Sequence, residues 1–208
     1  MTPFELSLEN DLHVEWQRFA NDWLFRWHGM TYEGGVTDVD DFRDGRIHYS
    51  GIAFGYQQQQ IFWQAIDRYL LQKVHEIFKR WDAETATYPA PIRLASIDGI
   101  DRHLRQFVHR IIQHALDTDR RLRGMGYPEN VRHFDSSGNM SRAEAEIARL
   151  GQAHRALLEA KLKKEEPPQV RFLSWKRLED FYANNKGLIW LGGIAATAIA
   201  AAWRYFSG

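Results

Sequence analysis

The sequence predicts a mainly α-helical, compact bundle-like domain with a small irregular or hairpin insertion, followed by one C-terminal transmembrane helix. Three features predict it: long stretches with apolar residues at helical spacing, a Gly- and Asp-rich interruption at 29–55, and an almost uncharged run at 187–206. Apolar residues three and four apart share a helix face, and about 20 apolar residues cross a bilayer. We therefore expect a soluble helical domain (1–166), a Pro-containing linker with an amphipathic juxtamembrane segment (167–186), and an anchor (187–206).

The first predicted helix covers residues 8–28 and is followed by the irregular insertion. Its apolar residues recur at spacings of three and four: Leu12, Trp16, Phe19, Trp23 and Trp27. We interpret this stripe as a core face rather than a ligand-stacking surface, because apolar stripes usually face the core. In the insertion, the glycines favour loops, and the partial alternation over 46–54 indicates a short hairpin.

The second and third helices are predicted over 56–82 and 98–123, where broad apolar stripes recur. Pro89 and Pro91 should break the chain between them, since proline cannot continue a helix. Asp98 is the expected N-cap of the third helix.

A fourth helix is predicted over 141–166. Ser141 and Glu144 form the Ser-x-x-Glu pattern of a capping box, which marks a helix start. The sequence Glu-Glu-Pro-Pro at 165–168 should end this helix and begin a stiff spacer.

Composition excludes several classes of function. Residues 1–60 carry four Lys/Arg against ten Asp/Glu, and the chain as a whole has no net charge. Because nucleic-acid-binding proteins usually show a strong basic excess, we expect no nucleic-acid partner. The absence of cysteine excludes disulfides, Cys-ligated zinc and thiol nucleophiles. The N-terminus resembles no secretory signal, so we expect the helical domain in the cytoplasm.

An acidic loop is the candidate metal site. Carboxylates and a histidine cluster within eleven positions, 38–48, and the candidate ligands of a divalent metal are Asp38, Asp40, Asp41, Asp44 and His48. The loop is not an EF-hand, because placing Gly45 at position six puts Phe42 at three and Gly51 at twelve. No P-loop, Gly-x-Ser-x-Gly, Rossmann glycine or His-Glu-x-x-His pattern occurs, so no other cofactor is predicted.

The C-terminal run carries the signature of a membrane anchor. Residues 187–203 contain no charge, although six alanines and three glycines make the run only weakly apolar, and a buried helix of the soluble domain is the alternative. Basic and aromatic residues near its ends are predicted to lie at the membrane interface: Trp175, Lys176, Arg177, Lys186, Trp190, Trp203, Arg204 and Tyr205. Positive charge is concentrated before the run, so the N-terminal domain should be cytoplasmic and the short tail outside.

Small residues recur four apart along the predicted span. Such spacing lets helix backbones approach closely in lipid. We therefore predict a homo-oligomer through the span, with these packing positions: Gly192, Gly193, Ala196, Thr197 and Ala200.

Taken together, these patterns predict a tail-anchored, single-pass cytoplasmic adaptor or sensor that acts through protein–protein interaction and is not an enzyme. Its expected partners are membrane lipid and an unidentified cytoplasmic protein. Two alternatives stay open. One is a membrane-perturbing effector that acts by self-association of the span, and the other is a metal-dependent enzyme that uses the acidic loop at 38–48.

Overall fold

A computed structural model of the chain describes residues 3–30, 34–43, 45–50, 53–124 and 127–165. These residues are mainly helical and include one two-stranded antiparallel hairpin, which confirms the predicted helical fold class and the hairpin insertion. The chain divides into two compact units, and the first, Met1–Lys163, holds the hairpin and every helix of the described residues except for the last two residues of the helix that ends at Glu165. We describe that unit alone.

The predicted linker, juxtamembrane segment and anchor begin at 167 and lie outside the described residues. Their membrane-interface positions and small-residue packing positions therefore stay predictions. Among the residues that the structure describes, no helix has both the length and the apolar character needed to cross a bilayer.

The first helix starts five residues earlier than predicted and changes its winding along its length. It runs as α1 (Pro3–Arg18), continues as a π-helical turn (Phe19–Leu24), and ends in a 3₁₀ turn (Trp27–Gly29). The predicted stripe is buried except for the half-buried Trp16, which confirms the core interpretation. In a regular α-helix, residues four apart drift by about 40° around the axis. The wider π-turn offsets this drift and keeps Trp23 and Trp27 facing the core.

The insertion forms a hairpin of β1 (Val36–Asp40) and β2 (Arg46–Ser50), in which Thr37 lies opposite Tyr49. The strands alternate as half-buried strands should, with these inward-facing residues buried: Thr37, Val39 and Tyr49. Gly35 lets the hairpin start against the end of the first helix, because a Cβ there would lie 2.0 Å from the Gly29 carbonyl oxygen.

The second helix, α2 (Tyr56–Glu84), closely matches its prediction, whereas α3 (Ala90–Arg123) starts eight residues before the predicted 98. Asp98 therefore lies inside α3, and its predicted N-cap role is wrong. Pro89 is the N-cap, and Pro91 lies in the first turn, where a missing N–H breaks no helical hydrogen bond. The prolines separate the two helices as predicted, but they do so by starting α3.

The fourth helix, α4 (Ser137–Glu165), starts four residues before the predicted capping box. Ser141 lies within the helix, so the capping-box prediction is wrong. Instead, the Asp135 carboxylate accepts a hydrogen bond from the Ser137 amide at 2.9 Å. Hydrogen bonds from the Ser137 side chain and from this amide lower the pKa of Asp135, because they favour the charged carboxylate.

A buried polar network closes the junction between α2 and α3, which we call the proline turn (81–96). The Arg93 guanidinium lies 4.9 Å from the centre of the Trp81 ring, donates to Thr85 Oγ1 at 3.1 Å and pairs with Asp82. The Trp81 indole donates to Ser96 Oγ at 2.9 Å. Arg93 is only 8% exposed, so its charge is buried with these partners in place.

Candidate functional site

A cleft of about 350 Å³ opens between the first helix, the hairpin and α2. We call it the aromatic cleft. Four aromatic side chains form its floor: Phe19, Trp23, Phe42 and Tyr69. Its rim carries Gln72 and eight charged side chains: Glu15, Arg18, Asp22, Arg26, Asp40, Arg46, Lys73 and Glu76. Ligand pockets usually measure about 300–1,000 Å³, so the cleft suits a small molecule or a few side chains of a partner.

The floor is a continuous stack of rings. Phe19 lies 4.4 Å from Tyr69 and 5.0 Å from Trp23, centroid to centroid. Phe42 lies 5.0 Å from Tyr69 and 5.6 Å from Trp23, and so closes the set. Such stacked and tilted pairs are favourable at about these separations. The floor is therefore packed in advance and need not be assembled by a ligand.

Two unusual backbone conformations build this floor. The π-turn carries Phe19 and Trp23, and π-turns recur at functional sites. Phe42 has a φ of 58°, the left-handed region that costs a non-glycine residue about 1–2 kcal/mol. Its amide donates to Asp40 Oδ1 at 2.7 Å, and its carbonyl accepts from Gln72 at 3.0 Å. These bonds hold Phe42 over the cleft despite the strain.

The turn of the hairpin is fixed to α2 by an arginine. Arg68 Nε donates to the Asp41 carbonyl at 2.8 Å, and its Nη2 lies 3.4 Å from Asp41 Oδ2. The other oxygen of that carboxylate accepts the Arg43 amide at 3.0 Å. Asp41 is buried and thus serves the geometry of the turn.

The predicted metal ligands are distributed over the hairpin. His48 Nδ1 donates to Asp38 Oδ1 at 2.8 Å, and both side chains are exposed. Asp40 and Asp41 hold the turn described above, whereas Asp44 lies outside the described residues. Within the described ranges, no three His, Asp or Glu side chains are grouped as a metal site would require. The metal site stays a prediction, with Asp40 and Asp41 already engaged in structural bonds.

A network of ionisable groups lies at one side of the floor. The Tyr69 hydroxyl donates to Glu15 Oε1 at 3.0 Å, and Lys73 Nζ lies 3.1 Å from Glu15 and 2.9 Å from Glu76. Burial, reinforced by Glu15, raises the pKa of Tyr69 far above its ordinary value. For Lys73, burial opposes the charge, but the bonds to Glu76 and Glu15 outweigh it and raise the pKa. At neutral pH, Tyr69 is therefore neutral and Lys73 charged.

The charges on the rim are unequally satisfied. Every rim carboxylate holds a partner: Glu15 and Glu76 hold Lys73, Asp22 holds Arg26, and Asp40 holds the Phe42 amide. By contrast, the exposed side chains of Arg18 and Arg46 make no hydrogen bond or ion pair within the described part of the chain, although Arg46 lies opposite Asp40 in the hairpin register. Two guanidinium groups are thus available on the rim, one from α1 and one from β2.

A second, smaller cavity of about 210 Å³ lies between α1 and α3. His13, Trp16, His103 and Arg110 are among the residues lining it. Within the described residues, His103 Nε2 and Trp16 Nε1 have no hydrogen-bond partner, yet both atoms are shielded from solvent. A ligand in this cavity could therefore reach them only after the side chains move.

The aromatic cleft joins residues that the sequence patterns separate. Those patterns place Trp23 in a core stripe and Asp40 in a metal loop, yet the Trp23 indole donates to the Asp40 carbonyl at 2.6 Å. They assign Tyr69 only to the apolar face of α2, and they give Phe42 and Lys73 no role in a site. The stripe of aromatic residues in the first helix is the one signal of the cleft in the sequence. No protein-family model, curated protein or solved structure matches this chain.

Proposed function

We propose that this chain is a membrane-tethered binding module whose helical domain holds a short segment of a partner protein in the aromatic cleft. The observation that carries the proposal is the packed aromatic floor inside a charged rim. Interfaces draw much of their binding energy from aromatic and arginine anchors, and the cleft presents the half-buried ring of Phe42 together with the exposed Arg18 and Arg46. The tether rests on the sequence pattern at 187–206.

The ionisable groups of the cleft favour binding over catalysis. A general acid or base works best with a pKa near the operating pH. Burial raises the pKa of Tyr69, and the carboxylate partners of Lys73 raise its pKa, so both values move away from neutrality. These two groups hold their protons and act as fixed parts of the wall.

The two other functions predicted from the sequence gain no supporting observation from the described residues. The membrane-perturbing effector depends on the span, which lies outside them. The metal-dependent enzyme depends on the acidic loop, where Asp40 and Asp41 support the hairpin turn instead. We therefore base the proposal on the cleft.

Site-specific photo-crosslinking tests the role of the cleft. A photoreactive phenylalanine analogue replaces the exposed Asp22 on the rim in the full chain, and in a control it replaces the exposed Gln152 of α4, which does not line the cleft. We expect a discrete, light-dependent protein adduct from position 22 alone. Equal adducts from both positions, or none from either, would contradict the proposal.

Fractionation tests the tether. The full chain is compared with a chain that ends at Lys186, and both are washed with alkaline carbonate. We expect the full chain alone to stay in the membrane pellet. If both forms are released, the anchor at 187–206 is wrong, and the cleft proposal is unaffected.

A further inference from the structure

We propose that the aromatic cleft recognises an anionic side chain of its protein partner, either the carboxylate of an acidic residue or the phosphate of a phosphorylated one. The inference rests on the proposed function and names the chemistry of the bound segment. Arg18 and Arg46 would hold the anion while the apolar body lies on the ring floor.

The first argument is the unequal pairing of the four carboxylates and four cations on the rim. The four carboxylates of the cleft are engaged, and two of the four cations, Arg26 and Lys73, are engaged with them. Arg18 and Arg46 have no partner within the described residues. An incoming anion therefore finds the N–H donors of Arg18 and Arg46 without a described partner, which favours binding of an anion at that part of the rim.

The second argument is the chemistry of arginine. A guanidinium group presents a planar fork of N–H donors that matches both oxygens of a carboxylate or phosphate. Arg18 lies at the C-terminal end of α1, and Arg46 lies at the start of β2. Because they come from different elements lining one cleft, an anion between them would link the helix to the hairpin.

The third argument is the shape of the floor. Phe19, Trp23 and Tyr69 are each less than 7% exposed, so they form a packed base that fixes the shape of the cleft and offer little apolar area themselves. Phe42, held in place by Asp40 and Gln72, is half-buried and is the ring of the floor that a ligand can cover. The cleft thus combines one partly exposed ring with two exposed guanidinium groups that lack a described side-chain partner, and both ends of an amphipathic side chain find a complement.

Four probes that share one ring and differ in charge test this inference: phenylacetate, phenyl phosphate, benzylammonium and benzyl alcohol. The full chain, labelled with 5-fluorotryptophan, is titrated with each probe. The ¹⁹F resonance of Trp23 is identified by its loss in Trp23→Phe. We expect the two anions to shift this resonance saturably and with higher affinity than the other two probes.

Substitutions of the rim arginines give the matched test. Arg18→Gln and Arg46→Gln should each weaken binding of the anions about tenfold, as expected for loss of one charge-assisted hydrogen bond. Arg102→Gln removes an exposed arginine that does not line the cleft and should leave binding unchanged. All three side chains are exposed, so the variants should keep the fold.

The outcomes separate this inference from the proposed function. Tighter binding of phenylacetate would identify an acidic side chain as the source of the anion, and tighter binding of phenyl phosphate would identify a phosphorylated one. If benzylammonium or benzyl alcohol binds at least as tightly as the anions, or if Arg18→Gln and Arg46→Gln have no effect, the charge assignment is wrong and the cleft remains a binding site. If no probe shifts the Trp23 resonance, both proposals are wrong.

Discussion

The proline turn and the aromatic cleft both combine arginine with aromatic side chains, with opposite results. At the proline turn, Arg93 is buried over Trp81 and holds Thr85. At the aromatic cleft, Arg18 and Arg46 are exposed on the rim of a ring floor and hold no described partner. Arginine is thus buried with bonding partners at the proline turn and exposed without described partners at the aromatic cleft.

The difference indicates what each region is for. A buried, fully partnered network adds to the stability of the fold, because breaking it leaves polar groups without partners. Exposed charges contribute little to stability, so under the proposed function Arg18 and Arg46 serve ligand binding rather than the fold. We therefore expect substitutions at the proline turn to change stability alone and substitutions of the rim arginines to change binding alone.

The largest expected effect is at the proline turn. Arg93→Ala should lower the free energy of unfolding by about 2–3 kcal/mol, since it removes an ion pair, a buried hydrogen bond and the stacking on Trp81. Urea denaturation of the full chain measures this loss, with the exposed Arg102→Ala expected within about 0.5 kcal/mol of the wild type. Equal urea midpoints for Arg93→Ala and Arg102→Ala would contradict a stabilising role for the buried network at the proline turn.

The next effect separates backbone strain from ring packing at Phe42. Phe42→Gly should be about 1 kcal/mol more stable than Phe42→Ala, because both lose the ring and only glycine adopts a positive φ without strain. The exposed Phe25 has a φ of −62° at the end of the π-turn, and there the order should reverse by a similar amount. Thermal or urea unfolding checks both pairs, and the same order at both positions would rule out strain at Phe42.

A third test asks whether the Tyr69 hydroxyl is buried and protonated in the folded domain, in contrast to the exposed arginines of the rim. The folded pKa of Tyr69 lies above its unfolded value of about 10, so its contribution to stability is complete below pH 10 and is lost as the pH rises further. The wild type should lose up to about 1.4 kcal/mol per pH unit from this residue above pH 10. In Tyr69→Phe the loss should be shallower by that amount, and identical slopes would exclude a buried, protonated Tyr69.

The smallest expected effect on stability completes the comparison. Arg18→Gln and Arg46→Gln should each change the free energy of unfolding by less than about 0.5 kcal/mol, since neither side chain has a described partner to lose. Urea denaturation, carried out beside the ¹⁹F titrations, measures stability and binding on the same samples. A loss above about 1 kcal/mol in either variant would place that arginine in the structural framework.

The sequence predicts the helices better than the site, for physical reasons. The α2 helix is located within two residues because its apolar stripe has one period throughout. The predicted start of α3 is wrong because it treats Pro91 as a helix breaker, although proline is tolerated in a first turn. The predicted start of the fourth helix is late because Ser141 and Glu144 match a capping box by spacing alone.

The cleft could not be predicted in the same way. The left-handed backbone at Phe42 has no signature of glycine or asparagine, and a π-turn leaves no trace in an apolar stripe. The aspartates at 38–44 indicate a metal by their density, but the bonds from Arg68 to Asp41 depend on a contact across 27 positions of the chain. Local patterns identify the elements, and only tertiary contacts show which of their side chains meet.

The π-turn at Phe19–Leu24 also bears on how this helix tolerates changes in length. Its hydrogen bonds span one residue more than those of an α-helix, so the turn contains one residue more than an α-helix would use to join the same flanking segments. Deleting the half-buried Ala20 would let the turn rewind as ordinary α-helix while Leu12 and Trp27 keep their orientations. The same deletion in α1 would rotate every earlier side chain by about 100°. The first helix is therefore most tolerant of a lost residue at the segment that carries the cleft floor, where the domain would survive and the stack of rings would not.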